Sequence, residues 1–462
     1  MIRAAVYLIL FAIAAAGVAW LADHPGAVTL VWQGYRIDTS VGMLITAAAL
    51  LAAVAAFLYR FWRWLRAAPG AFARRRRESR RLKGYRALTQ GMVAVAAGDA
   101  AEAKRQARRA DFLLNEPPLT MLLSAQAAQL NGDEAAAEKF FTAMLARPET
   151  EFLGLRGLIV QATKAGDTSR ALELARRAQA LRPKTGWVLS TLHELETRAG
   201  EWQAAEETTR LALRAGTLAA DQGARNRAVA LYQQSLAAEA AGNRDLSLEA
   251  ARKAAELAPG FQPAAIRAAT LFDQAGKRRK ALRAIEAGWS AAPHPELARL
   301  YLALGDDKEP LGRVMRIQRL VARRPNDHES HLALAEAALA ARLWGEARRA
   351  LEALESNGSA ALTQRACRLW ASLEEQEHAD GSAARAWQAR AASAAPDPAW
   401  VCGRCGAAQA HWAALCGQCG AYDAMVWRSP AHAPRAVLTT SDRAEGEAQM
   451  PRPAEAVTDL GA

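Results

Sequence analysis

The sequence predicts an all-α protein in which two transmembrane helices precede an α-solenoid of repeated helical hairpins, closed by a small four-cysteine, zinc-ribbon-like knuckle. Three observations carry that expectation. Residues 4–22 and 41–59 are uncharged runs of 19 residues, glycines recur every 34 residues through the middle of the chain, and four of the five cysteines form a C-x2-C-x10-C-x2-C array. With 462 residues and 51% hydrophobic content, the chain is long enough for several structural units and apolar enough to bury a core in each.

Each uncharged run approaches the ~20 residues that a helix needs to cross the hydrocarbon layer. For residues 4–22 the alternative is a cleaved signal peptide, since Arg3 precedes an apolar run rich in small residues. A second span followed by a dense basic block favours a two-span hairpin. The positive-inside rule then holds Arg3 and the segment from Arg60 to Arg86 in the cytoplasm, with both termini cytoplasmic and a short periplasmic loop between the spans. In that loop Val28-Thr29-Leu30-Val31-Trp32 and Tyr35-Arg36-Ile37-Asp38 flank Gln33-Gly34, the pattern of a small β-hairpin.

Charge narrows the partners. The chain carries a net +12, yet eleven Lys/Arg and a single acid lie between Arg60 and Arg86, so the excess is concentrated beside the second span. A nucleic-acid-binding repeat array would be expected to spread its cations along its surface; a juxtamembrane block fits anionic lipid headgroups instead. Trp62 and Trp64, interleaved with arginines, suit the headgroup interface.

The repeat signal is the strongest. Gly98, Gly132, Gly166 and Gly200 stand 34 residues apart, and after a 42-residue step Gly242 and Gly276 are again 34 apart. Five residues beyond them lie Ala103, Ala137, Ala171, Ala205, Ser247 and Ala281; twelve beyond lie Ala110, Met144, Ala178, Ala212, Ala254 and Gly288. A glycine releases the chain from one helix, and small side chains at fixed offsets let the next pack closely. Pro148, Pro183, Pro259 and Pro293 mark where second helices stop. The pattern resembles the tetratricopeptide (TPR) repeat, and about nine hairpins are expected, some degenerate. The extra residues of the long step are expected to lengthen the connection around residues 215–226. Stacked hairpins create a groove that takes peptides or helices of other proteins, although an array serving only as a spacer would have the same sequence.

Cys402, Cys405, Cys416 and Cys419, each pair followed by glycine, have the spacing of two turns that complete a tetrahedral shell of four thiolates. Structural zinc is the expected occupant; iron shares the same ligand set. One C-x-x-C would suffice for a redox pair, and glycine rather than histidine follows each second cysteine, against haem attachment. Trp400, Trp412, Tyr422 and Trp427 are expected to cover the knuckle, His411 to lie at the surface or in packing, and Cys367 to be a small apolar helix residue. No dinucleotide, P-loop, metalloprotease or nucleophile-elbow motif is present, so no enzymatic activity is expected.

Taken together, the two-span hairpin, the Trp32-Gln33-Gly34-Tyr35 loop, the basic segment and the repeats resemble the HemY-type TPR proteins of proteobacterial inner membranes over roughly residues 1–395. That resemblance implies a role in organising or regulating haem (porphyrin) biosynthesis, with haem-pathway enzymes as partners in the groove. Trp400-Val401-Cys402 and the cysteines that follow resemble instead the rubredoxin-type knuckle of LapB-type adaptors, which implies control of lipopolysaccharide synthesis or of a membrane enzyme's proteolysis. Those adaptors usually have one span, and two are expected here. The expected organisation is a membrane hairpin at 1–59, a basic juxtamembrane helix at 60–84, the repeat array at 85–395, the knuckle at 396–428 and a disordered tail at 429–462.

Overall fold

The computed structural model describes residues 26–114, 117–306, 309–356, 362–378 and 381–430, with isolated residues between 9 and 20. Most of the first expected span, residues 4–22, and the tail from 431 onward lie outside the described residues. Two compact units divide at Met144 and Leu145.

The first unit opens with the expected hairpin, β1 (Ala27–Trp32) paired antiparallel with β2 (Tyr35–Ser40). Its two-residue turn places Gln33 at φ 50° and Gly34 at φ 85°. Two positive φ values match the right-handed twist of the flanking strands, which is why a glycine stands there. The Ser40 hydroxyl then accepts from the Met43 N–H and starts α1 (Val41–Ala97), a single helix of 57 residues, about 85 Å long at 1.5 Å per residue. The second expected span and the basic segment are therefore parts of one continuous helix. Its stretch Val41–Arg63 is long and apolar enough to cross a membrane, and none of it is buried against protein. Leu51 and Phe57 are 74% and 69% exposed, a surface suited to lipid rather than water.

The end of α1 doubles as the first helix of a hairpin with α2 (Ala100–Leu114), and α3 (Pro117–Leu130) and α4 (Glu134–Met144) form the next. Gly91 sits where a Cβ would meet the Leu123 side chain at 2.5 Å, so the helices approach there only because no side chain intervenes.

In the second unit seven further hairpins follow among the described residues: α5 (Pro148–Lys164) with α6 (Thr168–Leu181), α7 (Gly186–Arg198) with α8 (Trp202–Arg214), α9 (Ala220–Ala240) with α10 (Arg244–Leu257), α11 (Gln262–Gln274) with α12 (Arg278–Ala291), α13 (Pro295–Ala303) with α14 (Pro310–Val321), α15 (His328–Ala340) with α16 (Trp344–Ser356), and α17 (Gln364–His378) with α18 (Gly381–Ser393). All six periodic glycines adopt φ between 69° and 76°. Ala103, Ala137, Ala171, Ala205, Ser247 and Ala281 are completely buried, and so is Met144, the one large residue at the second offset. A Cβ on Gly288 would stand 2.7 Å from that of Ala265, so α11 and α12 touch backbone to side chain.

One expectation needs correcting. The 42-residue step does not lengthen a connection: α9 has 21 residues against 13 in α7 and α11, and residues 220–227 are its added turns. A helix absorbs them because its backbone groups pair internally, whereas a longer loop would leave them to solvent. Last among the described residues, β3 (Ala399–Cys402) pairs antiparallel with both β4 (Ala408–Gln409) and β5 (Met425–Arg428).

Candidate metal centre and its docking face

The two cysteine turns are built alike. Gly406 N–H donates to the Cys402 carbonyl at 2.9 Å and Gly420 N–H to the Cys416 carbonyl at 2.8 Å, while the N–H groups of Cys402 and Cys416 donate to the carbonyls of Ala407 and Ala421. Gly406 and Gly420 hold φ of 75° and 66°, conformations that a Cβ would strain. This repetition brings Cys402, Cys405, Cys416 and Cys419 together, their sulfur atoms all within 4.8 Å of one another. Cys402 Sγ lies 3.7 Å from Cys419 Sγ, and Cys405 Sγ 3.7 Å from Cys416 Sγ. That separation rules out a disulfide. It matches the edge of about 3.8 Å in a tetrahedron with metal–sulfur bonds of about 2.3 Å. The four cysteines could hold a metal ion.

The electrostatics agree. The Cys405 N–H, with that of Arg404, lowers the Cys402 thiol to about 6. The Cys419 and Gln418 N–H groups lower Cys416 in the same way. At Cys405 the Ala407 N–H favours the thiolate, but desolvation and the neighbouring thiols prevail and push it up to about 12. Four sulfurs this close cannot all ionise without a cation among them. His411 is exposed, and Cys367 is buried in an apolar cluster with Ala366 and Trp370, its thiol raised by that burial.

The knuckle's aromatic residues do more than cover it. They seat it on the face formed by the first helices of the hairpins. Trp412 packs edge-on against Phe261 and Tyr232, with centroids 4.7 and 5.4 Å away, and Tyr422 against His193 at 5.1 Å. Trp400 and Trp427 enclose His294 at 5.7 and 4.3 Å. The Arg225 guanidinium donates to both carboxylate oxygens of Asp423 at 2.7 Å and lies 4.1 Å over the Phe261 ring. The Tyr422 hydroxyl donates to the Asn226 carbonyl. Arg225 and Asn226 belong to the added turns of α9, so the irregular step in the repeat supplies the knuckle's anchor. Burial lowers both facing imidazoles, His193 and His294, to about 4. None of these six partners was legible as a site from sequence; the 42-residue step was the one available signal.

A chain with a membrane-competent helix, paired helices of a 34-residue period and a docked four-thiol knuckle is a helical repeat protein; no catalytic family is indicated. Residues 26–132 match the family described as HemY protein N-terminus. The HemY protein of Escherichia coli is 33% identical over 140 residues, 29% of this chain and 34% of that protein, so the match spans about a third of its length. The probable magnetosome protein Mms48 of Magnetospirillum gryphiswaldense is 29% identical over 435 residues, covering 91% of this chain and 92% of the relative. A tetratricopeptide repeat protein of Parabacteroides merdae is 16% identical, covering 55% of this chain and 99% of its own, with a TM-score of 0.29. At that score the repeat assignment stands on the 34-residue period and the helix pairs themselves.

Proposed function

We propose that this protein is a non-enzymatic scaffold of the bacterial inner membrane that gathers partner proteins at the cytoplasmic face, organising or regulating haem (porphyrin) biosynthesis. The proposed organisation is a two-span anchor at 1–59, a basic lipid-facing segment between Arg60 and Arg86, the repeat array at 85–395 and a knuckle at 396–428. The HemY match over residues 26–132 carries this reading, because it includes the second span, the hairpin and the basic segment as well as the first repeats. In the knuckle, Cys402, Cys405, Cys416 and Cys419 would hold structural zinc, a role favoured by the 3.7 Å sulfur separations and the closed shell of four ligands.

Purification in detergent with the anchor intact should enrich haem-pathway enzymes. Their absence across several extraction conditions contradicts the reading. A second reading, a LapB-type adaptor for lipopolysaccharide synthesis or proteolysis, is favoured by the cysteine knuckle. Under that reading, deletion lengthens or shortens a target enzyme's half-life while haem levels stay normal.

A further inference from the structure

Between the docked knuckle and the first-helix face lies a cleft of about 430 Å³ whose walls come from both. Tyr232, Trp400, Trp412 and Trp427 line it with His294 and Ile266. Arg267 and Arg299 line it together with Glu239 and Glu296, so charges of both signs border the aromatic side chains, Arg267 paired with Glu239 at 2.9 Å. Two N–H donors there, Trp412 Nε1 and His294 Nε2, are buried without an acceptor among the described residues. The His294 Nδ1 already accepts from the Glu296 N–H, which leaves Nε2 as the protonated nitrogen.

An aromatic slot with spare donors suits a polyproline II segment, whose carbonyls have no internal partners and whose rings lie flat on indole. The sequence of this chain supplies a proline-bearing candidate. Trp427 lines the cleft, the described chain ends three residues later at Pro430, and the sequence that follows contains Met450-Pro451-Arg452-Pro453-Ala454-Glu455. Arg452 and Glu455 would complement the Glu239/Glu296 and Arg267/Arg299 pairs. Pro451 lies 21 residues beyond Pro430, and a random-coil chain of that length has a root-mean-square span of about 25 Å. A tether of that length gives an effective concentration on the order of 1 mM, so even weak intrinsic affinity fills the cleft from within the chain.

We infer that residues 450–455 of the C-terminal segment occupy the cleft between the cysteine knuckle and the first-helix face, an intramolecular ligand that a partner's proline-bearing segment must displace. The inference goes beyond the scaffold function and does not depend on the haem pathway. Both donor nitrogens are shielded from solvent, so seating the segment requires a small side-chain displacement.

The test uses the membrane-anchored chain in detergent, intact or ended after Pro430, and a fluorescent peptide of residues 446–458. Anisotropy should show saturable binding to the shortened chain, at least tenfold weaker binding to the intact chain, and loss of binding when both peptide prolines are alanine. Trp427→Ala and Arg299→Ala, each with metal content measured to show an intact knuckle, should weaken binding about tenfold or more. No saturable binding up to millimolar peptide overturns the inference. Equal binding to the shortened and intact chains also overturns it, and assigns the cleft to segments of other proteins.

Discussion

Gly166 turns the chain out of α5 at φ 75°, its N–H donating to the Thr163 carbonyl and that of Asp167 to Ala162. Arg342 does the same work after α15, with φ 56° and equivalent bonds to Leu339 and, through Leu343, to Ala338. A side chain in the left-handed region costs about 1–2 kcal/mol, so the two positions make opposite predictions. Gly166→Ala should destabilise the second unit by about 1 kcal/mol in denaturant titration, and Arg342→Gly should stabilise it by a similar amount. This is why the period fades from the sequence before it fades from the fold: the turn persists where the glycine does not. His294 makes a second residue-scale prediction. Its pKa lies near 4 in the fold because burial, with Arg299 and Arg365, disfavours the cation, whereas the unfolded value is near 6.5. Between those values the unfolded chain binds more protons, so this group's contribution is full above pH 6.5 and is lost as pH falls towards 4. Glu196 and Glu329, raised to about 7 chiefly by burial, slope the other way. The readable quantity is therefore a difference: His294→Asn, which keeps a cap acceptor, should show a shallower loss of stability from pH 6.5 to 4 than the parent.

At the scale of elements, α9 and the knuckle depend on one another. The added turns of α9 hold Arg225 against Asp423, whose carboxylate is largely buried, and an ion pair of that kind is worth about 1.5–3 kcal/mol through its charged hydrogen bonds. Removing the metal should loosen the thiol turns and release this contact. Hydrogen exchange at residues 220–232 is expected to rise after chelation and in Cys402→Ser, while residues 328–340 stay protected. Asp423→Asn should raise exchange at 220–232 with metal content unchanged. Unaltered exchange after complete metal loss would show that the helix stands without its knuckle. The cysteine turns were legible because a metal shell needs fixed spacing. Their seat was not, because Arg225 and Asp423 are joined across 198 positions by shape and charge with no motif between them.

Across the whole molecule, the parts legible from sequence were those with a period or a spacing: the 34-residue hairpins, the apolar helix at Val41–Arg63 and the four thiols. Packing decided the rest. The 57-residue α1 joins a membrane-competent segment to the first repeat with no break, so the anchor and the first hairpin share one rod. Under the proposed scaffold function, the first-helix face of the second unit is where partners would bind. Gln274 lies exposed on that face beside the knuckle cleft, and Glu352 lies exposed on a second helix. The most direct measurement places a photo-crosslinking residue at each in living cells with the anchor intact. Discrete partner adducts from position 274, including haem-pathway enzymes, and few from position 352 are predicted. Equal or absent adducts at both positions would contradict a partner-gathering repeat surface.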